Sequence, residues 1–141
     1  MSIEKLESDI IEEFSLFDDW MDEYEYIIEL GKELPIIDKK FKTDEYIIKG
    51  CQSKVWLHAN SDNGRIQLTA DSDAIITKGI ISLLIKVLNN QKHEDILIAK
   101  MNFINEIGLS SHLSPTRANG LLEMVKQIKS YALAFSIKKN A

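Results

Sequence analysis

Apolar side chains recur at helical spacing from the start of the chain. Ile3, Leu6, Ile10, Phe14 and Phe17 fall on one stripe, and Ser2 stands where it can cap the helix they define. Asp18 and Asp19 offer a second cap, after which Trp20, Tyr24, Ile27 and Ile28 share a face. Gly31 then occupies the place of a left-handed helix terminator, and Pro35 follows it. The pattern predicts two short helices packed as an antiparallel pair.

The period changes in the middle. Val55, Leu57 and Ala59 alternate with Trp56, His58 and Asn60; beyond Ser61-Asp-Asn-Gly64, Ile66, Leu68 and Ala70 alternate with Arg65, Gln67 and Thr69. This predicts a hairpin with one buried and one wetter face. Glu45 to Ile48 reads as a third strand ahead of it, with Lys49 to Ser53 as the connection.

From Asp73, read as an N-cap, the helical period returns. Ala74 to Leu88 is apolar nearly all round, as suits a helix lying across the inner face of a sheet. Residues 94–107 read as one or two short helices broken near Lys100. Ser114-Pro115 is a helix start, a capping hydroxyl followed by proline at the first helical position. Ala118, Leu121, Leu122, Val125, Ile128, Ala132 and Phe135 carry one stripe to the end. Helices, a small antiparallel sheet, then helices make an α+β protein.

Length and composition narrow the classes. The 141 residues suit one domain spanning 1–141, and 45% hydrophobic with 28% charged residues is ordinary for a globular chain. A net charge of −5 speaks against broad nucleic-acid binding, which depends on Lys and Arg neutralising phosphates. The N-terminus lacks the basic-then-apolar pattern of a signal peptide, and Ala74 to Leu88 is too short and too charged to cross a membrane. One cysteine cannot make an intrachain disulfide or hold an iron–sulfur cluster, and His58, His93 and His112 show no metal-ligand spacing. These features predict a reduced, cytoplasmic protein with no metal site. No glycine-rich phosphate loop, Gly-x-Ser-x-Gly elbow, His-Glu-x-x-His or Cys-x-x-Cys is present.

Cys51 is the first candidate for chemistry. It lies in Lys49-Gly-Cys-Gln-Ser-Lys54, between two expected strands, where Gly50 lets the backbone bend and the two lysines would favour a thiolate. The alternative is an inert, buried cysteine. His58 falls on the polar face of a strand and His93 in a charged loop; His112, just ahead of the last helix, either pairs with the cysteine as a base or packs locally. Arg117 occupies the first turn of that helix, where a cation opposes the dipole; it is either functional or a solvated surface residue. Trp56 is either an interface anchor or a cover for the sheet.

Four blocks in order carry a resemblance. Tyr26-Ile-Ile-Glu-Leu-Gly31 with Leu34-Pro35, Gly50-Cys-Gln-Ser-Lys-Val-Trp56, Asp71-Ser-Asp-Ala74 with Lys78-Gly79, and His112-Leu-Ser-Pro-Thr-Arg-Ala-Asn-Gly-Leu121 resemble the SufE family. The resemblance runs from about Trp20 to the last helix; residues 36–44 and 89–101 match no motif of it.

The resemblance implies a SufE/IscU-like α+β fold with a small three-stranded antiparallel sheet. It implies an accessory protein that activates a cysteine desulfurase of SufS or Csd type in iron–sulfur cluster assembly. Cys51 would take sulfane sulfur as a transient persulfide and pass it to the SufBCD scaffold. Pyridoxal phosphate would belong to the desulfurase, this chain needing no cofactor and being no stand-alone catalyst. In proteins of this type the cysteine loop can tuck its sulfur inward and extend it on docking. By the same likeness His112 and Arg117 would serve docking or persulfide stabilisation, and Gly50, Gln52, Trp56 and Asp73 would position the loop. No nucleic acid or membrane partner is implied, and a homodimer is compatible with the pattern. Two other classes compete, a one-cysteine redox sensor or thiol peroxidase and a structural adaptor with an inert Cys51.

Overall fold

The structure, a computed structural model, describes residues 1–140, with side chains to residue 138. Helix α1 (Ile3–Phe14) starts where Ser2 Oγ accepts from the Lys5 amide at 3.1 Å, and α2 (Trp20–Leu30) where Asp19 Oδ1 accepts from the Asp22 amide at 3.0 Å. Each cap supplies an acceptor to an amide with no partner inside its helix, a gain of about 1 kcal/mol. The rings of Phe14 and Phe17 gather around Tyr26, whose hydroxyl donates to Glu13 at 2.5 Å. Both helices nonetheless pack more extensively on α3 than on each other.

Gly31 does not end α2 in the left-handed region. Its φ is −59°, and the chain runs on through a 3-10 turn, Gly31–Glu33. The reason for glycine is packing, since a Cβ there would come within 3.2 Å of the Gly79 amide nitrogen.

Strands β1 (Val55–Asp62) and β2 (Arg65–Ser72) form the expected hairpin. The turn is Asn63-Gly64, with φ of 53° and 79°, the two left-handed residues that match the twist of paired strands. Val55, Leu57 and Ala59 face inward with Ile66, Leu68 and Ala70. The third strand is not Glu45–Ile48. Asp44–Tyr46 is a 3-10 turn, and Ile47 makes a single bridge to Trp56. The third strand is instead β3 (Gln91–Lys92), antiparallel to the start of β2, and the sheet order is β1-β2-β3. Asn90, at φ 61°, turns the chain back towards β2, and its amide donates to Ile66 at 2.7 Å.

Helix α3 (Ile75–Leu88) is the hub. Eleven of its fourteen residues are buried, because α1, α2, the sheet and the last helix cover it on all sides. Fully burying a Leu or Ile side chain contributes about 1.5–3 kcal/mol. Its N-cap is Ala74, with no side-chain cap; Asp73 is engaged elsewhere, as described below. Short helices α4 (His93–Ile98), α5 (Phe103–Glu106) and α6 (Leu109–His112) follow, broken at residues 99–102 as the pattern near Lys100 predicts. His93 departs from its expected loop. It is buried at the start of α4, 2.9 Å from the Ser61 hydroxyl through Nε2. Helix α7 (Pro115–Asn140) is capped by Ser114, whose Oγ accepts from the Arg117 amide at 3.3 Å. Its buried line is Leu121, Met124, Ile128 and Ala132. Leu122 is 65% exposed, because it lies 100° round the helix from Leu121 and α7, unlike α3, is covered on one side only.

On the outer face of the sheet, Asp71 holds Lys42 at 2.9 Å and Lys78 at 3.5 Å, tying loop, strand and α3 together. Burial alone would raise the Asp71 carboxyl. Hydrogen bonds from Lys42 and the Ser72 amide, with the charges of Lys42 and Lys78, outweigh it and hold the group below the usual range. A carboxyl lowered on folding stabilises above its unfolded pKa, about 3.9, and that contribution is lost as pH falls through the folded value. Asp71→Asn is therefore expected to cost about 1 kcal/mol at pH 7, the partly exposed lysines being screened by solvent, and to flatten the loss of stability below about pH 4, read by urea melts across pH.

Candidate functional site

The amide of Ile48 donates to the Val55 carbonyl at 2.8 Å and closes residues 49–54 into a loop at the head of β1. Its far end is pinned to the junction of β2 and α3. The Lys54 amide donates to Asp73 Oδ1 at 3.0 Å, the Asp73 amide donates back to the Lys54 carbonyl at 3.2 Å, and the Ser72 hydroxyl donates to that carbonyl at 2.9 Å. Asp73 is thus engaged with the cysteine loop and not with the helix that follows it.

Gly50 turns the loop at φ +91°, a region that side chains rarely enter, and a Cβ there would meet Glu123 Cγ at 2.9 Å. The turn directs Cys51 inward. Its thiol donates to the Gly120 carbonyl at 3.6 Å, and a Cβ on Gly120 would stand only 3.4 Å from the sulfur. A small cavity around it is lined by Gln52 and Ser53 of the loop, Thr77 and Ile80 of α3, and Arg117 and Met124 of α7. Asn119 Nδ2 donates to the Gly50 carbonyl at 3.4 Å.

Burial pushes the half-buried Cys51 thiol up from its ordinary value, and the Glu123 carboxylate pushes it further the same way. The lysines expected to favour a thiolate do not set the resting charge state. Lys49 and Lys54 are exposed, and the charge that bears on the sulfur comes from α7.

The structure brings Cys51, Gly50, Gln52 and Arg117 together, with Asp73 at the loop's exit. Among the described residues, no carboxylate lies within 4 Å of the Arg117 guanidinium. Trp56 and His112 do not line the cavity. Trp56 sits on the outer face of β1 beneath the Lys42 ammonium, 4.8 Å from its ring centroid. His112 stacks on Trp20 at 4.7 Å, with Nδ1 2.8 Å from the Gly108 carbonyl. His58 stacks on Phe41 at 3.7 Å, and burial followed by the Lys40 charge holds its pKa below the ordinary value. Asn119, Gly120 and Glu123 are the neighbours that loop-centred reading misses, because nearly seventy residues separate them from Cys51. Among the described residues no group of three or more His, Cys, Asp or Glu is gathered to hold a metal, and no helix is long and apolar enough to cross a membrane.

The site can present one thiol from a loop, with no second thiol in the chain to resolve it. A solution structure of a hypothetical protein from Thermus thermophilus superposes with a TM-score of 0.76 over 92% of this chain and 94% of that one; at 18% identity it speaks to the α+β fold alone. An uncharacterised SufE-like protein of Rhizobium meliloti is 40% identical over 128 residues, covering 87% of this chain and 91% of the relative. SufE-like protein 1, chloroplastic/mitochondrial, of Arabidopsis thaliana is 40% identical over 116 residues, 82% of this chain but 31% of that longer protein. The family model for SufE, described as an Fe-S metabolism associated domain, matches residues 8–132, and the chain belongs to that family.

Proposed function

We propose that the protein accepts sulfur for iron–sulfur cluster assembly and activates the cysteine desulfurase that supplies it. The observation that carries this reading is the lone Cys51 on a loop built to seat it, held at Gly120 and free of any resolving thiol. The Cys51 thiolate attacks the outer sulfur of a persulfide on a pyridoxal-phosphate desulfurase of SufS or Csd type. A new S–S bond forms at Cys51, the donor's S–S bond breaks, and the donor cysteine leaves as a thiolate. A thiolate of the SufBCD scaffold then attacks that outer sulfur, the S–S bond at Cys51 breaks, and Cys51 leaves as a thiolate ready for another cycle. The protein acts as an accessory carrier in the reducing cytoplasm, where a single thiol persists.

In the resting position the sulfur is turned inward and protonated, so transfer requires the loop to swing out. Arg117 at the cavity mouth would stabilise the persulfide anion, and the His112–Trp20 stack would form part of the docking face. The test is turnover. Added to a SufS-type desulfurase with cysteine, the protein should raise the rate of sulfide release. A blank with both SufS-type and Csd-type enzymes of known activity would overturn the reading.

A further inference from the structure

Cys51 is held by more than its own loop. Asn119 Nδ2 bonds the Gly50 carbonyl, Gly120 receives the thiol on its carbonyl, and Glu123 lies against Gly50, all within the first turns of one helix. An inward resting position of the cysteine loop is what the family likeness already implies; from this geometry we infer that Glu123 and Asn119 are the positioning residues that latch the loop there in this chain. This deepens the sulfur-acceptor reading and rests on it for its biological meaning.

A carbonyl accepts a hydrogen bond and gives none, so Gly120 can hold a thiol and repels a thiolate. Glu123 adds a negative charge on the same side, which also opposes ionisation inside a half-buried site. The other charged groups around the sulfur do not cancel this. Arg117 lines the same cavity from α7, Lys49 and Lys54 are exposed on the loop, and Asp73 is occupied by the Lys54 amide; α3 contributes only Thr77 and Ile80. Opening the loop breaks the Asn119 bond, removes the sulfur from Glu123 and frees the thiolate in one movement.

The experiment is the rate of Cys51 alkylation by iodoacetamide across pH, with no desulfurase present. Glu123→Gln should shift the profile to lower pH and speed alkylation severalfold at pH 7, while Glu123→Asp keeps the wild-type profile. Asn119→Ala, which leaves every charge in place, should speed alkylation at pH 7 through opening alone. Thermal melts check that each variant is folded. A Glu123→Gln profile superimposed on wild type, or an equal shift with Glu123→Asp, would overturn the latch. Because the assay contains no partner, its failure leaves the acceptor reading standing, and a failed turnover assay leaves the latch standing.

Discussion

Cys51→Ser is expected to abolish stimulation of the desulfurase while leaving the fold intact. A serine hydroxyl stays protonated at neutral pH and does not attack a sulfane sulfur, so the carrier function has no fallback; the chain has no second cysteine. The structural cost is small. Serine is slightly smaller than cysteine, can donate to the same Gly120 carbonyl, and sits at a half-buried position with polar neighbours Gln52 and Ser53. The loss in stability should stay below about 1 kcal/mol. Complete loss of stimulation with an unchanged melt locates the chemistry at the sulfur. Stimulation retained by the serine variant would mean that the protein acts on its partner by docking alone.

Gly79→Ala should produce the largest loss of stability of any single methyl addition at a glycine of this chain. A Cβ built there lies 2.1 Å from the Ile27 carbonyl oxygen and 2.7 Å from its carbon, far inside contact distance, and the obstacle is backbone. Helix propensity works in the opposite direction, favouring alanine by about 1 kcal/mol. The clash wins, because α2 and α3 can only relieve it by separating along the whole of their contact, where Ser82 also donates to Leu30 at 2.7 Å. Overpacking costs about 1–3 kcal/mol and more where backbone must move, so a net loss near 2 kcal/mol or above is expected. At this chain length that is a fall of roughly 5–10 °C in melting temperature. A melt unchanged from wild type would show that the two helices do not approach so closely.

What sequence makes legible here is what depends on side-chain period and local capping. Ser2, Asp19 and Ser114 cap the helices expected of them, and the alternation of residues 55–61 and 66–70 reports the hairpin directly. A two-residue strand such as β3 has no period to read, while Ile47 and Ile48 imitate a strand although the chain turns at Asp44–Tyr46. Gly31 and Asp73 share another cause. Each residue type suits a local role, a helix terminator or a helix cap, but tertiary contacts claim both: Gly31 for its approach to Gly79, Asp73 for the Lys54 amide. The site divides the same way. Cys51 stands out in its motif, whereas the charge acting on it comes from Glu123, seventy-two positions away, and not from the adjacent lysines, whose side chains turn to solvent.

Intact-mass spectrometry shows whether sulfur lands on Cys51. The protein would be incubated with an active desulfurase and cysteine, then alkylated, weighed and digested. One added sulfur atom is expected on wild type, confined to the peptide containing Cys51 and absent from Cys51→Ser. No sulfur adduct on wild type, with the desulfurase turning over in the same tube, would contradict the acceptor role of Cys51.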